Sequence, residues 1–218
     1  MRNILLTLFI VISINTFGQD TLDKIITTEV CECISQFKII TQADLLRCVQ
    51  NDLDKNEAFI MKEMRAQLTD TSDEAGYKFG HDLYERTSVS MVYSCKQYFN
   101  FMDTMRYSII KSLNNDSIKA LIQNMSYSDP KSRGNDFYIE QGIMYFQNSD
   151  FNSALNDFNK ALYIDSNALR AIYFKAWTLE SLKNYDEAYA LYTQLALVTK
   201  ENTYNIYAAI AKRKKNGR

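Results

Sequence analysis

The sequence predicts an all-α protein, and three observations carry that prediction. Two stretches repeat at a fixed distance of 34 residues: Gly142 recurs as Ala176, Phe151 as Tyr185, Ala154 as Ala188, Phe158 as Tyr192 and Ile164 as Val198. A period of this length marks stacked helix pairs, none of which buries its apolar face alone. Proline occurs once and glycine six times in 218 residues, too few for the tight turns of an all-β architecture. Elsewhere apolar residues fall three or four apart, the spacing of one helix face.

At the amino end, Arg2, the mostly apolar run Ile4 to Ile14 and the small residues Thr16 and Gly18 have the order of an export signal, so residues 1–18 are expected to be cleaved off before Gln19. The run is well short of the ~20 apolar residues that cross a bilayer. No cysteine stands at the cleavage position to take a lipid. The mature chain is therefore expected to be periplasmic or secreted, with no stable membrane insertion. Losing Arg2 from the 25 basic side chains leaves 24 against 26 acidic ones, a formal charge of −2. Nothing in that balance attracts nucleic acid or an anionic membrane.

Residues 19–128 read as a helical, cysteine-containing domain. Leu22, Ile26, Val30, Cys33 and Phe37 form the stripe of a first helix. Thr41 caps a second, with Asp44 three residues on, and this helix runs through Leu45, Leu46, Val49, Leu53, Ile60 and Met64. Leu68 to Gly76 is polar and reads as a loop. A long stripe follows in Tyr84, Ser88, Met91, Cys95, Tyr98, Met102, Met105, Ile109 and Leu113, read as core on one helix or on two with a bend near Ser94. Asn114 to Asn135 is rich in Asn, Ser and Asp and holds the only proline, Pro130. It is expected to contain a short helix through Ile118 to Ile122 and a linker at 129–134, with the domain boundary near Ser128.

The four cysteines, Cys31, Cys33, Cys48 and Cys95, are expected to form two structural disulfides. The spacing Cys31-Glu32-Cys33 lacks the C-x₂₋₄-C step of a structural zinc site. About 200° separates Cys31 from Cys33 around a helix, so each needs its own partner. Cys33 and Cys95 lie on buried stripes while Cys31 and Cys48 lie off theirs, which favours Cys33–Cys95 and Cys31–Cys48. The exchanged pairing, Cys33 with Cys48, stays open.

From Asn135 the repeats can be followed residue by residue. The first, 135–168, has Tyr138, Gly142, Tyr145, Asp150-Phe151, Ala154, Phe158 and Ala161; the second, 169–202, has Ile172, Ala176, Leu179, Tyr185, Ala188, Tyr192 and Leu195. This pattern resembles the tetratricopeptide repeat (TPR) family, with Ser166 and Lys200 at the usual proline positions. The resemblance implies a right-handed superhelical stack of helix hairpins, packed on or following the disulfide-linked bundle. In that stack Gly142, Ala154, Ala161, Ala176 and Ala188 let helices approach, and Tyr138, Tyr145, Phe158, Tyr185 and Tyr192 fill the space between them. A last helix over 203–215 carries Ile206, Tyr207 and Ile210 and would cap the array, with Lys212, Arg213, Lys214 and Lys215 as a solvated tail. Two repeats and a cap are fewer than such arrays need, so the preceding helices are expected to supply the missing neighbour.

The family's first helices line a concave groove that receives a protein or peptide. By repeat position the groove here would present Ile139, Ile143 and Phe146, then Arg170, Tyr173 and Trp177, with Tyr207 in the cap. Trp177 flanked by Tyr173 and Arg170 has the make-up of a binding hot spot, or else Trp177 packs against a neighbouring helix.

Catalytic chemistry finds little material. A nucleophile needs a base beside it, and the single histidine, His81, follows Gly80 at an expected helix start. Phosphate loops, paired zinc-binding histidines and dinucleotide fingerprints are missing from the sequence. Asp186-Glu187 and Asp52/Asp54 read as helix-start or solvated-face charges. The expectation is a non-enzymatic, exported adaptor without cofactor or metal that binds a protein or peptide. Two alternatives stand beside it: a thiol-redox or metal protein working through the Cys31/Cys33/Cys48/Cys95 cluster, and a structural subunit of a larger envelope assembly.

Overall fold

The structure, a computed structural model, describes residues 21–68, 72–112, 116, 119–120, 123–124 and 134–217. The expected leader (1–18), the ends Ile118 and Ile122 of the expected short helix, the boundary at Ser128 and linker residues 129–133 lie outside the described residues. Those described form helices and turns without any strand. They pack as two units, Met1–Phe101 and Met102–Arg218.

In the first unit α1 spans 21–34 and buries Leu22, Ile26, Val30 and Ile34. Ile34 thus takes the last core position that the sequence reading gave to Cys33 and Phe37. Helix α2, Gln42–Lys55, opens with a capping box: Thr41 Oγ1 accepts from the Asp44 amide and Asp44 accepts from the Thr41 amide, both at 3.1 Å. The expected continuation to Met64 is broken at Asn56, whose amide closes α2 on Asp52, and α3 follows as Glu57–Gln67. The buried residues of α2 are Cys48 and Asp52; Leu45, Val49 and Leu53 are half-buried and Leu46 is exposed. Helix α4, Asp73–Ser94, is capped by Ser72, so the expected loop ends before Gly76 and His81 lies well inside the helix. The long stripe is two helices. Cys95 leaves helical geometry at φ −112°, ψ 111°, and α5 resumes as Lys96–Ser112. Along the stripe Ser88, Met91, Cys95, Tyr98 and Met102 are buried, whereas Tyr84 is exposed.

The disulfides are Cys31–Cys95 and Cys33–Cys48, which corrects the favoured pairing. Direction around α1 decides it, not depth. Asp23, Thr27 and Cys31 form one i, i+4 row, which turns to α4 through the Asp23–Arg86 ion pair at 2.8 Å. Glu29 and Cys33 form another, which turns to α2 through Lys55 Nζ at 2.7 Å. The buried row Cys48 and Asp52 receives it.

In the second unit the helices are α6 (Asn135–Gln147), α7 (Phe151–Ile164), α8 (Leu169–Ser181), α9 (Tyr185–Thr199) and α10 (Asn202–Lys215). They form TPR-type hairpins, each closed in the same way. Ser149 and Lys183, 34 residues apart, both adopt left-handed φ of 62° and 65°. The following amides, Asp150 and Asn184, reach back to Tyr145 and Leu179 at 2.9 and 2.8 Å, the long bond of a Schellman cap. Gly142 is buried in α6, and a Cβ there would stand 2.6 Å from the Phe158 ring. Ala154, Phe158, Ala161, Ala176, Ala188 and Tyr192 are fully buried; Tyr138, Tyr145 and Tyr185 are half-buried. Where proline is missing, α7 ends at an extended Asp165 and α9 at a left-handed Lys200 with φ 61°.

Candidate functional site: the inner face of the repeats

The inner face is built by the first helix of each hairpin and by α10. Its columns follow from the 34-residue period: Ile139, Tyr173 and Tyr207 form one, and Phe146, Glu180 and Lys214 another. The structure brings most of the expected groove residues together but not as an open surface. Ile139, Ile143, Phe146, Trp177 and Tyr207 are buried, Tyr173 is half-buried, and Arg170 is exposed and paired with Glu140. Most of the expected groove residues are thus covered within this chain. Trp177 is 1% exposed, packed against Phe146, Phe174 and Tyr173, so it is a packing residue.

The physical reason lies in the part of α5 that belongs to this unit. Arg106 is fully buried on the inner face. Its guanidinium donates to both oxygens of Glu180 at 3.0 and 2.8 Å, to Asp103 at 2.6 Å and to the Tyr192 hydroxyl at 3.3 Å. It stands over the rings of Tyr207 and Trp177, 4.8 and 5.4 Å from their centroids. Beside it the Tyr107 ring meets Trp177 edge-on at 5.3 Å. The sequence reading treated this stretch as a Met-lined core stripe and gave Arg106 no role.

Lys214, expected in a solvated tail, turns inward instead. Its ammonium donates to Glu180 and to Asp103, each at 2.8 Å. Burial alone would raise the Glu180 carboxyl, but Arg106 and Lys214 outweigh it and hold it below its ordinary value. Burial likewise opposes the charge on Lys214, and Glu180 and Asp103 reverse the shift. Two basic side chains, Arg106 and Lys214, thus face two acidic ones, Asp103 and Glu180. The Tyr192 hydroxyl is pushed well up by burial and by Glu180, to which it donates at 3.1 Å.

The other candidates separate from this face. All four cysteines are paired in disulfides, which leaves no free thiolate to ligate a metal. In the first unit a cleft of about 780 Å³ is lined by side chains such as Thr27, Cys31, Ser90 and Ser94, with no histidine beside a nucleophile. His81, Asp82 and Glu85 bring one donor each within 4.8 Å on the surface of α4, an arrangement ordinary on exposed acidic helices. Asp52, expected on a solvated face, is 4% exposed. Burial, then the hydrogen bond and charge of Glu29, push its carboxyl up to about 7.

The tetratricopeptide repeat family model matches residues 136–167 and 169–202. No curated protein and no solved structure matches the chain. Among the described residues, no helix is long and apolar enough to cross a membrane.

Proposed function

We propose that the protein is an exported protein-interaction module whose repeats recognise a helical segment of a partner through their inner face. The single observation that carries this reading is the Glu180 recess. The repeats and α10 present the Glu180 carboxylate together with the rings of Trp177 and Tyr207 to the Arg106 guanidinium, so that recess already receives a helix, residues 102–112 of the same chain. Recognition by repeats fits the chain's chemistry, and the two disulfides fit an oxidising, exported setting. Site-specific photocrosslinking in envelope extract tests it. A photoreactive residue at Arg170, on the groove rim, is expected to give discrete adducts, and one at Tyr163, 93% exposed, is not. Adducts from Tyr163 alone, or from neither, would sink the reading.

The filled inner face favours one second reading, a structural subunit of an envelope assembly in which the face stays occupied. Native size after gentle extraction separates the two: a fixed large complex supports the subunit, a monomer in exchange with partners the module.

A further inference from the structure

The ion network on the inner face divides along the boundary between helix and receptor. On α5, Asp103 and Arg106 pair at 2.6 Å one turn apart; on the repeats, Glu180 and Lys214 pair at 2.8 Å. Each side is neutral by itself. Withdrawal of α5 therefore strands no lone charge in the recess, the condition that makes most buried ion pairs costly to open. The fit in cis is also incomplete, because Arg106 Nε and Trp177 Nε1 are buried with no acceptor among the described residues.

We propose that residues 102–112 are an exchangeable ligand held in cis, and that the partner in trans is a helix carrying an aspartate and an arginine three residues apart with an aromatic residue directly after the arginine. The inference rests on the module reading and gives it a ligand. A guanidinium suits the recess as an ammonium does not: it chelates both oxygens of Glu180 while its centre stands over the rings of Trp177 and Tyr207. The aromatic residue repeats the Tyr107 contact with Trp177. Tethering gives the cis segment an effective concentration on the order of millimolar, so a free helix competes poorly until the cis contact is weakened.

The test uses the full chain and a labelled, hydrocarbon-stapled peptide of residues 99–112, with the staple opposite Asp103 and Arg106, read by fluorescence anisotropy. The chain carrying Asp103→Ala and Arg106→Ala is expected to bind the peptide at least ten-fold more tightly than wild type. The same peptide with Arg106→Lys is expected to lose at least ten-fold. Equal affinity of the two chains, or of the two peptides, overturns the proposal. So does a doubly substituted chain that melts cooperatively but binds no peptide. Loss of cooperative melting in that chain overturns it too, because residues 102–112 would then be a fixed part of the core. Crosslinks from Arg170 combined with failed exchange remove this inference and leave the module reading standing. Exchange without crosslinks leaves residues 102–112 displaceable but removes the module reading, and with it the partner in trans.

Discussion

At the scale of single residues, Gly142 and Asp52 carry the sharpest consequences. A methyl at Gly142 would meet the Phe158 ring at 2.6 Å, and that ring is fully buried. Gly142→Ala is therefore expected to cost about 1–3 kcal/mol, read from chemical denaturation. Asp52 adds a pH dependence of known sign. Its folded pKa of about 7 lies above the model-compound 3.8, so between these values the folded chain holds the extra proton and stability falls as pH rises. The groups facing it are Glu29 on α1 and Lys55 and Asn56 at the end of α2. Asp52→Asn is expected to flatten the fall, whose limit is about 1.4 kcal/mol per pH unit, and to raise stability at pH 8. An unchanged slope between pH 5 and 8 would remove Asp52 as its source. The sequence showed Gly142 through its repeat position; it hid Asp52, because a carboxylate on the polar side of an apolar stripe looks solvated until the stripe proves to be rotated.

At the scale of elements, the two hairpin turns share one backbone device built from unsuitable residues. Ser149 and Lys183 both sit at left-handed φ, where a side chain carries a steric cost and glycine carries none. Ser149→Gly and Lys183→Gly are each expected to stabilise by about 0.5 kcal/mol, the relief of strain less the added freedom of the unfolded chain. Thermal melts of the single and double variants check this, and additive gains are expected because the turns lie in separate hairpins. Helix identities were largely legible: the Thr41 cap and both hairpins follow from spacing and capping residues, and the break beside Ser94 was one of two readings the stripe allowed. What failed was the facing of helices. Reading α10 as a cap with a solvated tail ignored that Lys214 stands 34 residues after Glu180, itself 34 after Phe146. The period that located the fold also located the ion pair. Arg106 offered no such signal, since one arginine directly after Met105 carries no periodic mark of which side it faces.

At the scale of the whole molecule, all the covalent bracing lies in the first unit and the repeats rely on packing and the Glu180 network. Closing loops of 15 and 64 residues stabilises by about 3 and 4 kcal/mol on the chain-entropy account. Reductant is expected to strip hydrogen-exchange protection from α1, α2 and α4 while α6 to α9 keep theirs. Equal loss across both units would contradict this division. Acid acts on the other unit: Glu180 titrates below its ordinary value, so the stability it lends is present above about pH 4.5 and is lost as pH falls through its folded pKa.

The divergent rows on α1 also set an order of assembly. A chain that enters an oxidising compartment amino end first presents Cys31, Cys33 and Cys48 while Cys95 has yet to arrive. Cys33 can meet its lasting partner at once, across 15 residues, whereas Cys31 waits for a residue 64 positions downstream. Any early bond between Cys31 and Cys48 strands Cys33 and has to be undone by thiol attack before maturation finishes. The time between the arrival there of Cys48 and that of Cys95 is thus the interval in which such a chain is most exposed to scrambling.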